Sequence, residues 1–249
     1  MMKFKILLFM FLTYIAVNAQ DGAIIFKNAT DQLLTTNMEL SIEIKETRRN
    51  GRATEKSFNV LMGKFKDEEK IKTQILKPER AKGVTIVLTQ YPETVGLIEI
   101  FTPANGKIRK MKATQKNIEL VGSGSLISNY ISKNQTELNI RYIEKQDING
   151  KSCYKIEVND KVNSKNGKAE FLIDEQNHHI LEIISYDVNE KKESITMLSD
   201  YTALNTKIHP KRIFTENLKE KTTSEIIILN MTPRNNLKLK DFSISTTSD

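Results

Sequence analysis

Met38-Glu-Leu-Ser-Ile-Glu-Ile-Lys45 decides the fold that this sequence predicts. Its polar positions alternate with four apolar ones, which are Met38, Leu40, Ile42 and Ile44. A period of two indicates a β-strand with one face buried and the other in water. Arg49-Asn-Gly-Arg52 follows, and Asn-Gly is the strongest short hairpin signal. The next run should therefore return antiparallel, and it alternates in the same way at Phe58, Val60 and Met62.

The same alternation continues through most of the chain. It recurs first in three short runs, at Ile71, Thr73 and Ile75, then at Val84, Ile86 and Leu88, and then at Ile98 and Ile100. In the second half, strand-like runs fall near 137–145, 152–158, 168–173, 179–187, 192–200, 211–216 and 222–229. About a dozen short strands with few helical interruptions predict a mainly β protein built on one large antiparallel sheet.

Two segments carry helical spacing instead. Asp21 can cap a helix that runs to about Leu34. Its apolar stripe is formed by Ile25, Ala29 and Leu33, with Phe26 and Leu34 beside them. In mid-chain, one face of a second, short helix is predicted from Leu126, Ile127, Tyr130 and Ile131. Gly122 and Gly124 precede it and suggest a hinge. The short helix is interpreted either as a movable lid over the sheet or as ordinary core that plugs one end of a barrel.

The N-terminus has the pattern of a cleavable signal peptide. Lys3 and Lys5 form a basic head, an apolar run covers Ile6–Val17, and small residues precede a cleavage point after Ala19. About a dozen apolar residues are too few to cross a bilayer as a helix, which needs about 20. We therefore expect residues 1–19 to be removed, and residues 20–249 to form a single domain in the periplasm of a Gram-negative bacterium.

Composition narrows the classes of function. The formal net charge of +7 is spread along the chain, without the dense basic stripe of a nucleic-acid-binding protein. Cys153 is the only cysteine, so no intrachain disulfide can form. His178 and His179 follow two acidic residues, but adjacent residues of a strand point to opposite faces, so no metal site is expected. His209, which precedes Pro210, is interpreted as a loop residue. No convergent catalytic motif occurs, so neither enzymatic activity nor a cofactor is expected.

Several motifs, in order, resemble those of the LolA-like outer-membrane lipoprotein-sorting proteins. They cover most of the chain after the signal peptide, and each is weak alone. In chain order they are Lys77-Pro-Glu-Arg-Ala-Lys-Gly-Val-Thr-Ile-Val-Leu88, Ile98-Glu-Ile-Phe-Thr-Pro103, Lys107-Ile-Arg-Lys-Met111, Val121-Gly-Ser123, Ser199-Asp-Tyr201, His209-Pro-Lys-Arg212 and Lys221-Thr-Thr-Ser-Glu-Ile226. The family has an aromatic residue, often tryptophan, at the start of the Ile98 strand, and this chain contains no tryptophan.

The resemblance implies a fold and a ligand. The fold would be a curved antiparallel sheet forming a half-open β-barrel, closed on its concave side by the N-terminal helix and the mid-chain helix. The ligand would be a lipid or lipoprotein acyl chain carried between membranes by a monomeric, non-enzymatic chaperone. An alternative is an accessory subunit that docks on an inner-membrane exporter or another envelope complex, its groove filled by its own helices.

The predicted ligand-binding residues are the apolar positions of the first strands together with the mid-chain segment. Either set is also compatible with an ordinary hydrophobic core. The strand positions are Met38, Leu40, Ile42, Ile44, Phe58, Val60, Met62, Val84, Ile86, Leu88, Ile98 and Ile100. The mid-chain positions are Leu126, Ile127 and Tyr130, with Gly122 and Gly124 as the hinge.

Overall fold

The computed structural model describes residues 22–33, 37–92, 94–114, 135–161, 167–204 and 207–244. A helix, α1, covers residues 22–33. The strands are β1 (Met38–Thr47), β2 (Ala53–Lys64), β3 (Glu69–Lys77), β4 (Thr85–Gln90), β5 (Leu97–Thr102), β6 (Lys107–Lys112), β7 (Leu138–Ile148), β8 (Lys151–Asp160), β9 (Lys168–Asp174), β10 (Ile180–Tyr186), β11 (Lys192–Leu204), β12 (Lys207–Asn217) and β13 (Thr222–Pro233).

These strands form one sheet, whose order is β6-β5-β4-β3-β2-β1-β13-β12-β11-β10-β9-β8-β7. Among the described strands β6 and β7 are its two edges, so the sheet is not closed into a barrel. The prediction of a mainly β chain with a single antiparallel sheet and an N-terminal helix is confirmed. The predicted mid-chain helix, with its hinge, lies outside the described residues.

Local turn chemistry sets the hairpins that the sequence predicts. The turn between β1 and β2 has Gly51 at a φ of +78°, and the Gly51 N–H donates to the Arg48 carbonyl at 2.8 Å. The turn between β7 and β8 has Asn149 and Gly150 at φ values of +52° and +78°. Positive φ at both central residues is the type I′ pattern, whose twist matches that of the flanking strands.

The chain divides into two compact units that are interleaved in sequence. Unit 1 comprises residues 1–34, 130–199 and 214–221, and contains α1 with β7 to β10. Unit 2 comprises residues 35–129, 200–213 and 222–249, and contains β1 to β6 with β13.

The core of unit 1 lies between α1 and one face of its strands. The Phe26 ring meets the Phe171 ring edge to face, with 5.0 Å between centroids. Gly22 lies so close to β7 that a Cβ there would be 2.6 Å from the Tyr142 nitrogen. Phe26, Ala29 and neighbouring Thr30 are buried, whereas Ile25 is half-buried. The helix is where the sequence predicts it, and Phe26 and Ala29 of the predicted apolar stripe are its buried apolar residues.

In unit 2, the C-terminal segment packs on the sheet. A 3-10 turn, Leu239–Phe242, places the Phe242 ring against Gly63, where a Cβ would be 2.6 Å from the ring. Phe65 meets the same ring edge to face at 5.7 Å. The Lys72 ammonium donates to the carbonyls of Asp241 at 3.0 Å and Ser243 at 2.8 Å. These contacts hold the end of the chain on β2 and β3.

One sequence interpretation is wrong. His209 is not a loop residue, because it lies within β12 and its side chain is only 6% exposed. Burial, with a smaller contribution from the positive charge of Lys207, lowers the pKa of His209 below its usual range. The following proline suggested a loop because proline lacks a backbone N–H and is rare within sheets.

Replacing Phe26 tests whether α1 closes the core of unit 1. Phe26→Ala should lower the free energy of unfolding by about 3–5 kcal/mol, because it removes a fully buried ring. Ile24→Ala on the same helix is the matched control, since Ile24 is 50% exposed and should change stability by less than about 0.5 kcal/mol. Urea denaturation measures the free energy of unfolding of both variants. Equal losses of stability would contradict the packing of Phe26 in the core of unit 1.

Burial of His209 makes stability depend on pH. The folded-state pKa is lowered, so on acidification the unfolded chain takes up the proton first. The contribution of neutral His209 is complete above the unfolded pKa of about 6.5 and is lost as the pH falls below it. His209→Gln should therefore lose less stability than the wild type between about pH 7.5 and pH 5. Urea denaturation at both pH values measures the free energy of unfolding of the two proteins. If both lose the same amount of stability on acidification, the prediction is wrong.

Candidate functional site

The strand register of unit 2 collects the predicted apolar residues on one face of the sheet. β1 and β2 pair Met38 with Met62, Leu40 with Val60, and Ile42 with Phe58. Residues directly opposite each other in an antiparallel pair project from the same face. The alternation that predicts two strands thus also brings their apolar side chains together.

This register aligns residues in three transverse rows, of which the first two cross six strands. The first row is Met38, Met62, Ile71, Leu88, Ile98 and Met111. The second is Leu40, Val60, Thr73, Ile86, Ile100 and Arg109. In the third, Ile42, Phe58 and Ile75 follow one another, and Ile75 donates its N–H to the Val84 carbonyl at 2.9 Å. We call these rows, with Ile44 beside them, the apolar face.

The apolar face becomes more accessible from the first row to the third. In the first row Met38, Leu88 and Ile98 are buried, at 3%, 6% and 0% exposed, and the other three residues are half-buried. In the second row only Leu40 is buried, while Val60, Ile86 and Ile100 are half-buried. All four residues of the third row are half-buried. A packed core would bury all three rows, so this face retains apolar surface that water can reach.

The other face of the same strands is covered in part by the C-terminal segment, on β2 and β3. Lys72, which faces Val87 across β3 and β4, binds the C-terminal carbonyls described above. Val87 and Thr89 are each only 1% exposed. Burial lowers the pKa of Lys72, and the nearby Asp241 charge partly opposes that shift. The two faces therefore differ in what packs on them, since the C-terminal segment places Phe242 against this one.

In unit 1, strands with a similar pattern have an apolar face that is fully buried. Ile156, Val158, Phe171 and Ile173 are all 0% exposed, and the Phe26 ring packs on Phe171. Here a helix fills the apolar face and leaves no accessible row among these residues. The outward side of the same strands carries ion pairs, among them Lys168–Glu157 at 3.0 Å and Lys155–Glu170 at 3.3 Å. Bonds from Lys168 and Arg141 lower the pKa of Glu157 despite its partial burial.

Unit 1 also has a cleft of about 500 Å³ between the start of α1 and strands β7 and β8. Its lining is mixed rather than apolar: Ala23, Gln135, Leu138, Asn139, Ile140, Arg141, Glu157, Asn159 and Lys161. Arg141 and Glu157 neutralise each other at 2.8 Å, and Lys161 donates to the Thr136 carbonyl at 2.8 Å. Its charged groups are thus already engaged, so the cleft is a weaker candidate for a binding site than the apolar face.

The acidic and histidine residues near 174–179 build a turn. Asp174 accepts the backbone N–H of Gln176 at 2.8 Å and of Asn177 at 3.2 Å. Glu175 accepts the Ser152 hydroxyl at 2.7 Å and pairs with Lys145, which lowers the pKa of its carboxyl. Within the described ranges, no three His, Cys, Asp or Glu side chains are grouped so as to hold a metal ion.

The apolar face contains residues that were not among the predicted ligand-binding positions. Ile71, Ile75 and Met111 belong to it, as do three residues of β13 that pair with β1, namely Ile226, Ile228 and Met231. Ile226 to Leu229 form an unbroken apolar run, which hides the period of two, and the register of β13 shifts opposite Ser41 and Ile42. The predicted lid residues Leu126, Ile127 and Tyr130, with Gly122 and Gly124, lie outside the described residues.

A protein-family model described as "Uncharacterized protein" matches residues 67–246. The chain belongs to that family. No curated protein matches the sequence. No helix in the described part of the chain has the length and apolar character needed to span a membrane.

Solved structures show that the fold is LolA-like. An outer membrane lipoprotein-sorting protein domain from Vibrio parahaemolyticus has a TM-score of 0.73 at 14% identity, covering 90% of this chain and 97% of that one. A DUF1329 family protein from Desulfovibrio piger has a TM-score of 0.74 at 17% identity, with 91% and 97% covered. A LolA superfamily protein from Nitrosomonas europaea has a TM-score of 0.65 at 16% identity, with 91% and 98% covered.

Variants with one added cysteine test the accessibility of the apolar face. Cys153 is 0% exposed and burial raises the pKa of its thiol, so it should react slowly. Val60→Cys should react with a water-soluble thiol reagent at least about tenfold faster than Ile98→Cys, which lies on the same face but at a fully buried position. Thermal melts verify folding. Equally slow labelling at both positions would mean that the face is closed.

Proposed function

We propose that this chain is a periplasmic, non-enzymatic carrier that holds an acyl chain of a lipid or lipoprotein on its apolar face. The observation that carries the proposal is the half-buried state of the second and third rows, on strands otherwise tightly paired. The LolA-like fold supports it, since one structural neighbour is named as a lipoprotein-sorting domain. The signal-peptide pattern at residues 1–19 supports export.

The chemistry of the face suits a methylene chain. The second and third rows contain Val, Ile, Leu and Phe with one threonine before Arg109, so they offer dispersion contacts and almost no hydrogen-bonding groups. Burial of each methylene is worth about 0.8 kcal/mol, so about 16 of them could contribute roughly 13 kcal/mol when fully enclosed. Association costs about 4–15 kcal/mol, which makes the bound state reversible. Reversibility is what a carrier requires.

The residues proposed to contact the ligand are those of the accessible rows. From the sequence prediction they are Ile42, Ile44, Phe58, Val60, Val84, Ile86 and Ile100. The residues proposed to support them are Met38, Met62, Leu88 and Ile98 of the first row, together with Leu40 of the second row. The docking alternative, in which the chain's own residues fill the groove, is less consistent with half-buried rows of large apolar side chains.

Lipid binding by the purified protein tests the proposal. Protein purified without detergent should release a lipid on solvent extraction, or take up a fluorescent fatty acid when delipidated. Val60→Glu should weaken uptake at least about tenfold, because a carboxylate on the second row would have to be desolvated. Val60→Thr, which preserves shape, should weaken it several-fold.

Ile108→Glu is the matched control. Ile108 lies on the same sheet but its partner Phe101 belongs to the opposite face, and it is 38% exposed. It should leave uptake unchanged. If wild-type protein yields no lipid and takes up no fatty acid, or if Ile108→Glu impairs uptake as much as Val60→Glu, the proposal is wrong.

A further inference from the structure

Edge strand β6 carries two cations on each of its faces, and the two pairs differ in their partners. Lys107 and Arg109 lie opposite Thr102 and Ile100, which places them on the same side as the apolar face. Lys110 lies opposite Glu99 on the other side, and the two form an ion pair at 2.7 Å. The four cations of this short strand are thus divided two to a face. On the far face Lys110 is paired with Glu99 and Lys112 also has an interaction partner.

Lys107 and Arg109 have no acidic partner within the part of the chain that the structure describes. Both are exposed, and each lies at the end of a transverse row of the apolar face or just beyond it. Successive positions on one side of a strand are about 7 Å apart, so two long cationic side chains can converge on one small anion. The Arg guanidinium can hold a carboxylate or phosphate by two parallel hydrogen bonds.

Protection of the sheet edge explains only part of this arrangement. Charged side chains, especially lysine, on an edge strand prevent pairing with another chain, which accounts for a basic β6 in general. It does not account for Glu99 neutralising a cation on the far side while neither cation beside the apolar rows has an acidic partner among the described residues. Arg109, next to Ile100 and Met111, combines an apolar surface and a fixed positive charge within one site.

We propose that the apolar face selects amphiphiles with an anionic head group, which Lys107 and Arg109 bind at the β6 edge while the tail lies across the rows. This inference rests on the proposed acyl-chain carrier function and adds the class of head group. The recognised group is a carboxylate or phosphate attached to the tail. An anion without a tail lacks the apolar contacts and should bind only weakly.

The experiment compares two ligands that differ only in charge, a fluorescent long-chain fatty acid and its methyl ester. The wild type should bind the acid roughly tenfold to thirtyfold more tightly, as expected for two cations close to one anion at low salt. The double variant Lys107→Gln with Arg109→Gln should lose that preference while its affinity for the methyl ester stays the same. High salt should reduce the preference in the wild type, because the site is exposed.

Lys110→Gln is the matched control, since it removes one positive charge from the same strand on the paired, opposite face. It should retain the preference. If the wild type binds acid and ester equally, or if Lys110→Gln abolishes the preference, the head-group inference is wrong although the carrier function stands. If neither ligand binds, the carrier function itself is wrong. Inorganic phosphate that competes as well as the fatty acid would also overturn the inference, because it would show a site for free anions.

Discussion

The antiparallel register of β1 to β6 is the constraint on which the candidate site depends. Because partners across each strand pair face the same side, one phase of alternation gathers apolar residues from six strands into continuous rows. A shift of one residue in any strand would move its apolar residues to the other face. The Asn50-Gly51 turn sets the first of these registers, so a local backbone preference determines the composition of a surface that six strands share.

Units 1 and 2 use the same strand pattern for different purposes. In unit 1, α1 supplies Phe26 and Ala29, and the strands beneath reach zero exposure at Ile156, Phe171 and Ile173. In unit 2, the C-terminal segment supplies Phe242 to the face that carries Lys72 and Gly63. This cover lies on the more polar face of β2 and β3. The apolar face retains half-buried rows, which is the opposite of what stability alone would favour.

The sequence predicted the parts of the structure that depend on local physics. Period-two alternation and Asn-Gly turns located most strands, because both preferences act over a few residues. The same reasoning failed where tertiary contacts decide. His209 and Pro210 both lie within β12, a strand held between β11 and β13. The contribution of β13 to the apolar face was hidden because four of its residues in a row are apolar. Only the register with β1 shows which of them lie on that face.

The accessibility of a face could not be predicted from alternation, because it depends on what packs there. Met38 and Ile42 are equivalent in the sequence pattern, yet one is 3% exposed and the other half-buried. The difference follows position along the strand. The first row crosses all six strands without a polar residue, whereas the second ends at Arg109 on the edge. A sheet that only needed a core would gain by continuing the apolar row or by neutralising that arginine. A cation that no acid among the described residues neutralises, beside accessible apolar rows, is better suited to an amphiphilic ligand than to a packed interior.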